Sequence, residues 1–140
     1  MPTSTLTKSR FNKPIEEIQA PLTLAVPNFT AFLGTWTNVS PATRDLVKIV
    51  LTESHGTLLV HAFGACSPTP CDWGVVTAQA YSASVSGGPT VAFTANYAFG
   101  FKSTILTGHL DGSHLIVDDF NVFHDGSGRS AYFSQDTMKK

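Results

Sequence analysis

The sequence predicts an all-β fold, an eight-stranded antiparallel up-and-down barrel with an N-terminal arm, and three features carry that expectation. From Leu33 onward, short runs rich in β-branched and aromatic residues alternate with turn residues, and no long stretch keeps a helical period. The turn clusters Ser54-His55-Gly56, Ser86-Gly87-Gly88-Pro89, Asp111-Gly112 and Asp125-Gly126-Ser127-Gly128 are of the kind that join hairpin strands. Every connection is short. Parallel strands need crossovers of about a dozen residues or more, so neighbours in sequence should be antiparallel neighbours in space.

Residues 1–27 form the expected arm, holding four of the eight prolines: Pro2, Pro14, Pro21 and Pro27. Pro14 followed by Glu16 and Glu17 suits the start of one short helix, which Pro21 ends. The barrel domain then occupies 28–140, with strands expected at 34–39, 45–53, 57–65, 72–82, 90–99, 102–110, 114–123 and 130–136. In the second strand Val47, Ile49 and Leu51 share a face. Val91, Phe93, Ala95, Tyr97 and Phe99 do so in the fifth, and Leu115, Val117 and Phe123 in the seventh. One face of each strand can thus fill a common interior, and closure removes the edges that invite aggregation.

At 140 residues and 15.0 kDa, with 42% hydrophobic and 14% charged residues, the chain is one domain able to bury a core. Nine Lys and Arg against ten Asp and Glu leave a net charge of −1, so no basic surface is offered and nucleic acid is not an expected partner. The apolar stretch Leu22 to Leu33 is cut by Pro27 and too short for a bilayer, and Met1 to Arg10 has no apolar leader segment. No membrane association is expected, and the location is expected to be cytoplasmic. Between Ser54 and Phe101 the only charged residue is Asp72. Strands three to five therefore present an uncharged outer wall, which predicts self-association into a homo-oligomer.

The stretch Asn28-Phe29-Thr30-Ala31-Phe32-Leu33-Gly34-Thr35-Trp36-Thr37-Asn38 resembles the opening of calycin barrels, the lipocalin and avidin type. In those proteins a short helical turn precedes a Gly-x-Trp strand whose indole plugs one barrel end, and Gly-Thr-Trp-x-Asn is avidin wording. The resemblance implies that Trp36 is a plug. The later tryptophans of a biotin pocket are missing, Trp73 being the only other one, so biotin is not the implied ligand. Further on, Cys66-Ser67-Pro68-Thr69-Pro70-Cys71-Asp72-Trp73-Gly74, with Thr43-Arg44 upstream, resembles a group of uncharacterised bacterial proteins with a Cys-x-Pro-Thr-x-Cys-Asp-Trp-Gly motif. That group implies no activity.

Several residues are candidates for chemistry. Asp72 stands isolated beside Trp73, and His61 lies across the same hairpin; facing each other they would form an acid/base pair, the candidate catalytic residues. The ordinary reading is an Asp accepting loop N–H groups and a satisfied strand histidine. Trp73, Val75, Thr77, Gln79 and Tyr81 share one face of the fourth strand. With Phe93 and Tyr97 next door, the aromatic and polar-tipped members Trp73, Gln79, Tyr81, Phe93 and Tyr97 are the candidate ligand wall. Cys66 and Cys71 suit a loop staple or inert thiols; zinc would need two histidines folded nearby, and no metal and no cofactor are expected. A two-residue Asp111-Gly112 turn would set His109 opposite His114. Asp118 and Asp119 are adjacent and must face opposite ways, so they make no dyad, though one can point inward. Arg44 and Arg129 are candidates to stack on Trp36 or to bind an anionic ligand, with stacking the preferred reading.

No nucleophile elbow, phosphate loop, dinucleotide fingerprint or zinc-protease motif is present. Three functions stay open: binding of a small hydrophobic or aromatic molecule inside the barrel; a cofactor-free cyclase or isomerase acting on a hydrophobic biosynthetic intermediate, with His61 or Asp72 moving protons; and an interaction module with a packed interior.

Overall fold

In the computed structural model, which describes residues 28–140, eight strands run in sequence order: β1 (Gly34–Asn38), β2 (Leu46–Ser54), β3 (Thr57–Gly64), β4 (Cys71–Ser82), β5 (Thr90–Ala98), β6 (Lys102–Asp111), β7 (His114–Phe123) and β8 (Tyr132–Lys139). The arm expected at 1–27 lies outside the described residues. Each strand pairs antiparallel with the next, and β8 returns to β1 through Thr37 opposite Lys139 and Asn38 opposite Met138, closing the barrel. The last strand runs later than the expected 130–136, because the in-phase residues Asp136 and Met138 are buried and extend it to Lys139. The β6–β7 turn is also displaced by one residue. Gly112 and Ser113 form its tip, Asp111 faces His114, and His109 faces Ile116, so the expected His109 and His114 pair does not form. Gly112 sits at φ +61°, a conformation that is cheap only without a Cβ, and this sets the turn one position on.

The period-2 pattern holds along β3, β6, β7 and β8. Register shifts interrupt it in β2, in β4 and at the start of β5, where Val91 is exposed, and the inward residues pack the barrel's middle. Ile49, Leu51, Leu58, Val60, Phe93, Leu106, Leu115 and Val117 are all buried. Each such side chain contributes roughly 1.5–3 kcal/mol by leaving water. A Cβ on Gly108 would overlap the Phe93 ring, so glycine is what lets that ring lie against β6.

The barrel has two unlike ends. The lower end, at Gly34 and the β2–β3 and β6–β7 turns, is stoppered by the turn before β1. There Phe32 N–H donates to the Phe29 carbonyl at 2.7 Å, and the Phe32 ring meets Phe93 edge-on at 6.0 Å. The Trp36 indole N–H donates to the Phe32 carbonyl at 2.8 Å and the residue is 2% exposed, so Trp36 is the plug that the Gly-x-Trp resemblance implies. The upper end, at Asn38, Cys71, Lys102, Phe123 and Tyr132, has no such stopper among the described residues. No helix among them is long and apolar enough to cross a membrane.

Candidate functional site

The structure divides the sequence candidates among three places. His61 Nε2 and Asp72 Oδ1 are 2.6 Å apart, so the anticipated pair forms, but on the outer wall. His61 stacks on Phe63 at 4.3 Å, and Lys48 also lies 4.3 Å over that ring. Asp72 also accepts the Gly74 N–H at 2.8 Å. That bond first, and His61 second, hold the Asp72 carboxyl below its ordinary range. With the Asp72 side chain 60% exposed, the pair faces solvent and away from the barrel interior.

Gln79 and Tyr81 also face outward. The small face of β4, with Val76, Ala78 and Ala80, packs inward, so neither residue belongs to an interior wall. Tyr81 bonds Thr94 at 3.1 Å, and both Gln79 and Tyr81 edge a groove of about 510 Å³ where β3 and β4 splay near the lower end. Phe93 is interior but fully buried as core.

Trp73 and Tyr97 alone of the candidate wall meet at the open end, 5.5 Å apart and edge-on. A β-bulge places Trp73 there. Opposite the short step from His61 to Phe63, β4 carries Trp73 and Gly74 as it runs from Asp72 to Val75, and Gly74 takes φ +87°. The bulge changes the alternation phase, so Trp73 turns inward while Val75, Thr77, Gln79 and Tyr81 turn out. Gly64 makes room, since a Cβ there would stand 2.8 Å from the indole nitrogen. Tyr97 seals the interrupted ladder: its hydroxyl accepts the Ala62 N–H at 3.2 Å and lies 2.8 Å from the Gly74 carbonyl. Burial pushes that phenol up to about 12. Cys66 and Cys71 are joined in a disulfide that staples the loop above the bulge.

From Trp73 an arc of rings follows the upper rim through Phe99, Phe101, Phe123 and Tyr132, with successive centroids 5.2 to 6.5 Å apart. Lys102 lies 5.1 Å from the Trp73 ring and Arg129 4.0 Å from the Phe123 ring. Arg129 is therefore not on Trp36, which Lys140 covers at 5.0 Å; Arg129 is tied down locally by Asp125 at 2.6 Å. Arg44 likewise lies at the opposite end from the plug, on the rim beside Asp45.

Beneath the rim lies a polar floor that motif reading missed. Asn121 accepts Lys102 Nζ at 3.0 Å and the Thr104 hydroxyl at 2.7 Å, and donates to Asp119 Oδ1 at 3.2 Å. Asn38 donates to Asp136 Oδ1 at 2.8 Å. Asp45 joins Asp119 and Asp136, with one oxygen from each within 4.8 Å of the others. Burial first, and then the closeness of Asp45, push Asp119 up to about 8 and Asp136 up to about 7. Burial also pushes Asp45 upward, but the neighbouring carboxyls of Asp136 and Asp119 outweigh it and leave that carboxyl below its ordinary value. Where β1 stops pairing with β8, a cleft of about 530 Å³ opens onto this floor, lined by Asn38, Arg44, Asp45, Tyr132, Ser134 and Asp136 among others. The signal in the sequence was phase: Asp119 alternates with Val117 and Asn121, and Asp136 with Met138, so both carboxylates fall on the inward face.

No family model, curated protein or solved structure matches this chain.

Proposed function

We propose that this calycin-like barrel binds a small molecule at its upper end, with an aromatic or hydrophobic part against the rim rings and a hydrogen-bonding part toward the floor. The observation that carries the reading is the asymmetry of the ends. One is stoppered by Phe29, Phe32 and Trp36, while the other sets an aromatic arc over buried polar groups beside a cleft of about 530 Å³. Apolar walls with a few converging polar groups are the usual make-up of small-molecule sites. The packed middle, with Phe93 against Gly108, argues for a ligand seated at the mouth.

A cyclase or isomerase is the second reading, favoured by carboxyls held near neutrality on the floor, where a proton can be given or taken at physiological pH. His61 and Asp72 are poorly placed for that role because they face outward. The closed Cys66–Cys71 bridge favours an oxidising compartment over the cytoplasm. The test is a thermal-shift screen of aromatic and alicyclic small molecules. A ligand that raises Tm in the native chain and not in Tyr132→Ala or Phe99→Ala supports the reading. A ligand whose effect survives both changes but disappears in Tyr81→Ala would move the site to the lower groove.

A further inference from the structure

Asp119 and Asp136 are 1% and 7% exposed, yet Oδ2 of each, and Oδ2 of Asp45, has no hydrogen-bond partner among the described residues. Buried carboxylate oxygens are costly to leave unpaired, and three carboxylates that each bring one oxygen within 4.8 Å of the others are unusual in a packed interior. The cations nearby do not answer them. Among the described residues the side-chain ion pairs are His61 with Asp72 and Arg129 with Asp125, and Lys102, close enough to attract Asp119 and Asp45, donates to Asn121 and to neither carboxylate. The Oδ1 atoms, in contrast, are held by neutral donors: Asp119 by Asn121 and Asp136 by Asn38. Such outer contacts orient carboxylates around a metal ion.

We infer that Asp45, Asp119 and Asp136 form a binding site for a hard divalent cation, calcium by size. Three oxygens that all lie within 4.8 Å of one another leave a central point no more than about 2.8 Å from each. Calcium bonds oxygen at about 2.3–2.6 Å and tolerates irregular shells, whereas magnesium demands about 2.0–2.1 Å in a strict octahedron. An all-oxygen donor set excludes preference for soft metals. The cleft walled by Asp45 and Asp136 gives the ion a way in and room for water to complete its shell. The ligands come from the β1–β2 loop, β7 and β8, so the ion would pin the loop that flanks the short β1–β8 seam. This site does not depend on an organic ligand.

The test uses the full chain, stripped with a chelator and then titrated with calcium, magnesium or terbium, with terbium emission excited through tyrosine. One ion is expected per chain, with Tm raised by several degrees in millimolar calcium, magnesium binding more weakly, and terbium displaced by calcium. Asp119→Asn and Asp136→Asn, shown folded by circular dichroism, should each weaken calcium at least tenfold, while Asp118→Asn, on the outer face of the same strand, should leave it unchanged. No binding by the native chain at millimolar metal overturns the inference. So does equal loss in Asp118→Asn, or full affinity in Asp119→Asn. Tighter binding of magnesium than of calcium overturns the choice of ion.

Discussion

The Tyr97 hydroxyl on β5 donates to the Gly74 carbonyl of the adjacent strand β4 at 2.8 Å, at the barrel's upper end. It also takes the Ala62 N–H, so one side chain satisfies backbone groups that the β3–β4 bulge removes from their ladder. Tyr97→Phe leaves those groups unpaired in a buried place, and we expect a loss of about 1–3 kcal/mol, read as a lower urea midpoint with an unchanged slope. An undiminished midpoint would show that water replaces the hydroxyl there.

The same phenol makes the fold sensitive to alkali. Its pKa is about 12 in the folded chain against 10.0 for the free side chain, so the folded state holds the proton more tightly. The contribution is complete below pH 10 and is lost as pH rises from there through 12, about 3 kcal/mol in all. Urea midpoints between pH 9 and 12 should fall more steeply in the native chain than in Tyr97→Phe. Parallel slopes would contradict this.

Phe93 and Gly108 are coupled by contact. Gly108→Ala forces the Phe93 ring aside and should cost about 1–3 kcal/mol. Phe93→Leu in the same chain should recover part of that loss, giving a coupling energy of about 1 kcal/mol in a double-mutant cycle. Simple additivity would place the ring elsewhere.

The uncharged wall of β3–β5 remains our proposed surface for self-association, and Val75, 55% exposed, stands on it. Sedimentation velocity should find an oligomer that Val75→Lys or Thr94→Lys breaks. The outer row Ile105, Phe120 and Phe133 on β6–β8 is the competing surface. Dissociation by Phe133→Ser, with Val75→Lys inert, would move the interface there.

Alternation and turn residues made the barrel legible, because each strand buries one face and each hairpin is marked by Gly, Asp or Ser. Trp36 was legible as a plug from its Gly-x-Trp setting. The phase of β4 was not, since a single glycine, Gly74, shifts it, and a bulge leaves no trace in hydrophobic alternation; this is why Gln79 and Tyr81 turned outward and Trp73 inward. The carboxylate floor escaped for another reason. Asp119 and Asp136 meet through the β7–β8 pairing, and Asp45, far away in the chain, joins them only through closure of β8 onto β1, which no local spacing encodes.

Native mass spectrometry of the chain isolated from its own host, set beside Tyr132→Ala from the same source, tests the proposed ligand site most directly. A retained organic molecule, one per chain, is expected in the native protein and is expected to be lost from the variant. An empty native chain whose Tm no extract of that host can shift would contradict it.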